Sequence, residues 1–297
     1  MLKNIAKLSF FCSAAVFFSA AAHSEILNNI RERGVVRLAH RENSAPFSYV
    51  DNSGNVLGFT VELCKRIISS LETSKKEPLR IQWVKVSLSD RGEALKNGRA
   101  DMECGSTTNN AERRREYLFS APIYIAGIKI LSQKGDSTDD LNQLFRKRVA
   151  VAKGTTAFKL VDMSNRERLS HIAVNETLEH EEAWSLLRGG KVDAWLADDV
   201  ILATHRASVS NPQDFYVSKK FLSVEPYGIV LRLEDSDLLK SVNKEIFRLM
   251  RSGEFRAIYD TWFQKPIPGK NFNLKLPMNE ILKAQVSSPS ESLPPTY

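Results

Sequence analysis

The residues of this chain best able to do chemistry together lie in one run, Glu103-Cys104-Gly105-Ser106-Thr107-Thr108-Asn109, with Arg113 just beyond it. A strand that ends in Gly-Ser-Thr-Thr leaves hydroxyls and free backbone N–H groups at its carboxyl end. In open α/β sheets that end is where ligands bind. The charged segment from Ala111 reads as helical, and a helix N-terminus adds a positive dipole that favours an anion such as a carboxylate. Arg113 adds a planar fork of donors that can grip a carboxylate through two parallel hydrogen bonds. The chemistry indicated is recognition of an anion. A second polar strand end, Asp198-Asp199, could be read as a metal or acid–base pair, but no other carboxylate or histidine has fitting spacing.

Stepping through the elements that must position these groups, Asn97-Gly98 is a strong turn dipeptide and leads into a strand over Ala100–Cys104. Val35–Ala39 reads as the first strand, delivering His40-Arg41-Glu42. Val61, Cys64, Ile67, Ile68 and Leu71 share one face of a helix and read as core. A strand around Ile81–Val86 follows, and Asp90 can cap a helix from Arg91 to Lys96. A strand over Arg148–Ala152 then ends in Lys153-Gly154-Thr155-Thr156, with a helix from Ala157. Further on, Ile172–Val174 is a strand, and a helix over Glu181–Leu187 follows His180. The run from Arg188 to Trp195 echoes that from Lys96 to Glu103. Each is a turn into a strand with an aspartate at the same step, Asp193 and Asp101, and each leads to a polar end.

Strands alternating with helices argue for parallel α/β sheets, and the echo argues for two similar lobes facing each other. Tyr124–Leu131 would leave the first lobe and Tyr227–Leu231 would cross back. The expected division is residues 25–131 with 223–284 as the first lobe and 132–222 as the second. Residues 285–297, rich in Ser and Pro, are expected to be disordered.

The whole chain carries a net charge of +7 over 297 residues. Its N-terminus has the make-up of a secretory signal: Lys3 and Lys7, an apolar stretch from Leu8 to Phe18, then small residues at Ala20-Ala21-Ala22-His23-Ser24. Removing residues 1–24 takes away two lysines and no acids, which lowers the net charge from +7 to +5. The basic residues are scattered, and export makes a nucleic-acid partner a poor reading. No later stretch is long and apolar enough to span a membrane. Beyond Cys12 in the leader, Cys64 and Cys104 remain. In an exported protein they could pair or stay as buried thiols. No phosphate loop, dinucleotide fingerprint or metal spacing is present, so no cofactor is expected.

The turn and strand over Gly98–Met102, the Thr-rich loop, Glu112-Arg113 and Phe119-Ser120-Ala121-Pro122 together resemble the extracytoplasmic amino-acid-binding proteins of ABC transporters. His40-Arg41-Glu42 and Pro46-Phe47-Ser48-Tyr49 make the resemblance strongest to the glutamate/aspartate-binding branch. It covers about Glu25 to Ala284. It implies a two-lobed α/β binding-protein fold of type II, each lobe a mixed, mainly parallel sheet flanked by helices, with the ligand in the cleft between the lobes. It also implies a monomeric periplasmic protein, not an enzyme, that closes on its ligand and hands it to inner-membrane permease subunits. By the same resemblance Arg113 holds the ligand's α-carboxylate with Ser106, Thr107, Thr108 and the loop N–H groups. Arg41 and Arg91 hold a side-chain carboxylate, Asp198 takes the ammonium, and Thr155, Thr156 and His180 close the pocket from the second lobe. Chemistry supports an acidic ligand. Three arginines and one aspartate sum to +2, and a neutral ligand would leave a buried guanidinium unpaired, which is costly. One departure stands out. The branch carries a serine three residues before the position of Arg91, where this chain has Leu88, and that leaves glutamate versus aspartate open.

Two other classes use such a site. An exported dehydratase acting on a prephenate-like acid would need a general acid in the cleft, for which Glu42 and Glu103 are the candidates. A soluble sensory module would bind the same ligand but dock a receptor.

Overall fold

The computed structural model describes residues 25–72 and 78–295. The expected signal peptide, residues 1–24, lies outside the described residues. Two five-stranded sheets organise the chain. In the first the order is Arg80–Lys85, Val35–His40, Met102–Glu103, Val230–Arg232, Tyr117–Phe119. In the second it is Ala173–Thr177, Arg148–Ala152, Ala194–Asp198, Ile128–Gln133, Phe215–Val217. In each sheet the first three strands run parallel and the last two pair antiparallel. The mixed α/β class and the two-lobed arrangement expected from the sequence are those of the structure.

The echo between the two halves has a structural cause. Asp101, just before its strand, accepts from the backbone N–H of Arg37 at 2.8 Å and from the Arg37 guanidinium at 2.9 Å. Asp193 accepts in the same way from the N–H of Arg148 at 2.7 Å and its guanidinium at 2.6 Å. Each aspartate therefore clamps its own strand to the neighbouring parallel strand at the end away from the cleft. Hydrogen bonds from a charged acceptor are the stronger kind, so this clamp helps fix the register that sets both polar strand ends.

Two corrections concern the crossings. The expected strand Tyr124–Leu131 is two strands, Tyr124–Ala126 and Ile128–Gln133, broken at Gly127. The second piece pairs along its length with Ala194–Asp198, so the lobe boundary falls at Gly127 and not after residue 131. The return is likewise broken at Gly228, into Glu225–Tyr227 and Val230–Arg232. Tyr124–Ala126 and Glu225–Tyr227 pair antiparallel, forming the ribbon through which the chain passes between the lobes.

Under that ribbon lies an aromatic cluster. The ring of Phe47 sits 4.9 Å from that of Tyr124 and 5.1 Å from that of Tyr227, and Phe59 stacks edge-on against Phe255 and Phe263. The helix Phe59–Leu71 buries Val61, Cys64, Ile67, Ile68 and Leu71, the stripe its periodicity indicates. Cys64 and Cys104 form a disulfide, with Cα atoms 6.5 Å apart, resolving the alternative that the sequence leaves open. It ties this helix to the start of the Ser106–Thr108 loop.

The tail also differs from expectation. Glu280–Ser287 is a helix, capped by the Asn279 side chain, which accepts from the N–H of Leu282 at 2.9 Å. Leu282 and Val286, one turn apart, are buried, and the Asn279 amide donates to the Ile125 carbonyl at 2.8 Å. A buried i, i+4 apolar pair docks this short helix, which runs three residues into the stretch from 285 that composition reads as disordered. Beyond it the Gln285 amide donates to the Ser290 carbonyl at 2.7 Å, and the described chain runs on to residue 295.

Candidate functional site

Every residue singled out in the sequence lies at, or just beyond, the carboxyl end of a parallel strand or at the start of a helix that follows one. From the first lobe, Arg41 follows Val35–His40, Arg91 opens the helix Arg91–Lys96, and the loop from Ser106 to Arg113 follows Met102–Glu103. From the second, Thr155 and Thr156 follow Arg148–Ala152, His180 follows Ala173–Thr177, and Asp198 ends Ala194–Asp198. The two sets face each other across the cleft.

The Thr-rich loop is held by the ribbon. The N–H of Asn109 donates to the Pro226 carbonyl at 2.8 Å, and the N–H of Gly228 donates to the Thr107 carbonyl at 3.2 Å. The hydroxyls of Ser44 and Ser106 are hydrogen-bonded at 3.0 Å. A correction applies to Arg113. It opens a single 3-10 turn, Arg113–Arg115, and no α-helix follows. The strand Tyr117–Phe119 begins only four residues later, which leaves no room for one. The helix dipole expected there is absent, and the guanidinium itself carries the charge. Its Nη1 donates to the Thr108 carbonyl and its Nη2 to the Gly154 carbonyl of the opposite lobe, both at 3.0 Å. Burial, reinforced by the nearby Arg91 charge, lowers the Arg113 pKa to about 10.

Arg41 is buried, and its Nη2 donates to the Glu179 carboxylate of the second lobe. Its Nη1 is also buried and has no hydrogen-bond partner. Burial lowers its pKa to about 10 against the opposing pull of Glu179. Arg91 is buried, with no salt-bridge partner within 4 Å among the described residues. Among these guanidinium groups sits Glu103, 1% exposed. Burial raises its pKa, while the Arg91 charge, a hydrogen bond from the Thr107 hydroxyl and the Arg41 charge pull the other way. A Cβ at Gly105 would stand 2.1 Å from the Glu103 Oε1, so a glycine is needed for this carboxylate to lie where it does. The sequence marks Glu103 only as a conceivable general acid. Glu42, the other candidate, is exposed and paired with Lys85 at 2.7 Å.

On the second lobe the residues divide. The Thr155 hydroxyl is committed to its own helix: it donates to the Ala152 carbonyl at 2.6 Å and accepts from the N–H of Phe158 at 3.1 Å, as an N-cap. Thr156 opens the same helix and is partly exposed. His180 is buried against the Trp195 ring, 6.0 Å between centroids, with Nδ1 unpartnered. Burial, then the Arg41 charge, hold its pKa well below the usual histidine value, so it stays neutral. Asp198 accepts from the Tyr227 hydroxyl. Loss of water and the neighbouring Glu225 push its pKa up to about 7, against the lowering effect of that hydrogen bond.

A cavity of about 330 Å³ is lined mostly from the first lobe, by Leu88, Arg91, Glu103, Thr107, Arg113 and apolar residues such as Leu95 and Phe119, and reaches Gly154 and Lys159 of the second. Of the ten residues expected from the sequence, Arg91, Thr107 and Arg113 line it, and Arg41, Ser106, Thr108, Thr155, Thr156, His180 and Asp198 do not. Glu179 and Tyr227 are the partners that the sequence argument did not name. Buried polar atoms are rarely left unsatisfied, yet Arg41 Nη1 and His180 Nδ1 have no partner in this region. With the guanidinium groups of Arg41, Arg91 and Arg113 beside them, the region suits a small molecule with carboxylates. Among the described residues no cluster of His, Cys, Asp and Glu could hold a metal ion, and no helix is long and apolar enough to cross a membrane.

Residues 36–265 match the family described as bacterial extracellular solute-binding proteins, family 3. A glutamate/aspartate import solute-binding protein of Escherichia coli (strain K12) is 33% identical over 274 residues, 92% of this chain and 91% of that protein. An L-glutamate/L-aspartate-binding protein of Pseudomonas aeruginosa is 34% identical over 267 residues, 89% of this chain and 88% of that one. Among solved structures, an ancestral arginine-binding protein bound to arginine superposes with a TM-score of 0.70 at 28% identity, covering 78% of this chain and 99% of that one. An ancestral amino acid-binding protein described as a precursor of cyclohexadienyl dehydratase gives 0.69 at 26% identity, covering 80% and 98%.

Proposed function

The chain belongs to the bacterial extracellular solute-binding proteins, family 3, and from that premise we propose that it binds an acidic amino acid, glutamate or aspartate, in its interlobe cleft. In this reading residues 1–24 direct export, the monomeric protein works in the periplasm, and the loaded form delivers its ligand to an ABC permease. The observation that carries the ligand class is the gathering of Arg41, Arg91 and Arg113 around one cleft, with Asp198 opposite. Arg113, with Ser106, Thr107, Thr108 and the loop N–H groups, takes the α-carboxylate. Asp198 takes the ammonium, and Tyr227 orients its carboxylate. Arg41 and Arg91 take the side-chain carboxylate, and Thr156 and His180 complete the wall. Arginine suits these roles because its charge persists under burial and its fork matches a carboxylate. Relatives with the same fold take other amino acids, so charge at the side-chain end is the discriminating feature.

The test is calorimetric titration of the protein without its leader, unfolded and refolded to strip carried-over ligand, with glutamate, aspartate, glutamine and arginine. Tight binding of a dicarboxylic amino acid alone supports the reading. Binding of glutamine or arginine in preference keeps the family and rejects the assignment of Arg41 and Arg91.

One observation favours a second reading. Glu103 is a buried carboxyl beside two guanidinium groups, with burial raising its pKa, the placement of a general acid that elimination from a prephenate-like acid would require. Turnover of prephenate or arogenate, lost in Glu103→Gln, would establish it. Ligand binding without turnover removes it.

A further inference from the structure

Glu179, of the second lobe, forms an ion pair with Arg41 of the first. It immediately precedes the helix His180–Arg188 but makes no hydrogen bond to that helix's N-terminus. Instead its Oε2 accepts from Arg41 Nη2, and its Oε1 accepts from the Leu88 N–H at 3.2 Å. The carboxylate thus bridges Arg41 and the Leu88 amide, beside the cavity that Leu88 and Arg91 line. On the reading given above, this is the place a ligand's side-chain carboxylate takes.

We infer that Glu179 is a specificity-determining residue of the side-chain pocket: it supplies an internal carboxylate to Arg41, and a dicarboxylic ligand must displace it. The inference rests on the proposed acidic-ligand function. Three features make displacement feasible. The Glu179 side chain is 31% exposed, so it can swing to solvent, while that of Arg41 is 2% exposed and cannot. Glu179 satisfies only Nη2, leaving Nη1 without a partner. A ligand carboxylate approaching Arg41 end-on can take both nitrogens, the stronger bidentate geometry. A glutamine-like side chain offers Arg41 only a neutral oxygen and leaves Glu179 in place. Displacement costs a dicarboxylic ligand affinity, because its pocket is present only when Glu179 has left.

The experiment is titration of the wild type, Glu179→Gln and Glu179→Ala with glutamate, aspartate and glutamine, with circular dichroism verifying that each variant is folded. Removing the internal competitor should tighten glutamate and aspartate binding about three- to tenfold, while glutamine, which does not displace Glu179, gains less, so that the ratio of dicarboxylate to glutamine affinity rises. If both variants keep the wild-type ratio, or bind dicarboxylates more weakly, Glu179 is no competitor and the inference fails while the acidic-ligand reading stands. If neither the wild type nor the variants bind a dicarboxylic amino acid, the acidic-ligand reading fails and takes this inference with it.

Discussion

Arg113 spans the cleft: its Nη1 is bonded to the Thr108 carbonyl of its own lobe and its Nη2 to the Gly154 carbonyl of the other, each at 3.0 Å. A single guanidinium therefore reads both walls, and any ligand carboxylate it grips is coupled to closure of the lobes. Arg113→Ala should cost about 2–5 kcal/mol of affinity, the range for truncating one partner of a buried charge pair. Arg113→Lys should recover little of this, since an ammonium cannot reproduce two divergent bonds from one plane. Titration of both variants with glutamate checks it, and a lysine variant with wild-type affinity would reject the fork geometry.

Asp198 makes binding depend on pH. Its pKa is raised to about 7 by burial and by Glu225, and only the ionised form pairs with an ammonium. Affinity should therefore rise with pH through about 7, by roughly tenfold between pH 6 and 8. The ligand-free protein responds in the opposite sense. The folded pKa lies above the unfolded one, so the contribution of Asp198 to stability is complete below about pH 4 and is lost as pH rises towards 7. His205, lowered to about 4 by burial, works against this, because it loses stability as pH falls from about 6.5 to 4. Asp198→Asn isolates the first contribution. Thermal melts at several pH values should show the difference between variant and wild type changing only below about pH 7, and affinity in the variant should be low and flat with pH.

The Cys64–Cys104 disulfide closes a loop of sequence separation 40 between the Phe59–Leu71 helix and the site loop. Loop-closure entropy alone gives about 4 kcal/mol for a loop of this length. The double variant Cys64→Ser, Cys104→Ser should melt well below the oxidised wild type. Because Cys104 adjoins Glu103 and Gly105, ligand affinity should fall as well. Equal melting temperatures for oxidised and reduced wild type would reject the first expectation.

Much of the fold could be read in advance because its signals are local. The stripe Val61, Cys64, Ile67, Ile68, Leu71 needs only a helical period, and the Ser-Thr-Thr and Gly-Thr-Thr strand ends need only alternation followed by hydroxyls. Arg113 could be placed, but its helix could not, because the start of the Tyr117–Phe119 strand limits it to one turn. Glu179 was invisible for a different reason. A glutamate at a helix start reads as solvated or as a favourable charge at the dipole, and its partner Arg41 lies 138 residues away in the other lobe. Glu103 was visible as a residue, yet nothing local shows that two arginines enclose it. The end of the last helix was not legible in composition, since Val286 matters only once the ribbon is there to receive Leu282 beside it.

Gly127 marks the point where the chain leaves the first lobe, and its neighbours show why it is small. A Cβ there would stand 2.3 Å from Cδ1 of Phe221 and 2.6 Å from the Ser223 carbonyl oxygen, both on the returning segment. The ring could turn aside, but the carbonyl is backbone, and Ser223 also accepts from the Ile128 N–H at 3.3 Å. The N–H of Gly127 itself donates to the Asp199 carboxylate at 3.3 Å, next to Asp198, the residue proposed for the ammonium. Gly127→Ala must then push the outgoing and returning strands apart where they join the lobes. The expected outcome is a loss of about 1–3 kcal/mol in stability, the range for overpacking a close contact. Ligand affinity should fall further than melting temperature alone would suggest, because the displaced ribbon carries Tyr227 and sets the approach of Asp198 to Arg113. Parallel melts and titrations of Gly127→Ala and Gly127→Ser test this, and affinity that stays at the wild-type value in a destabilised variant would show that the crossing is structural and does not set the closed geometry.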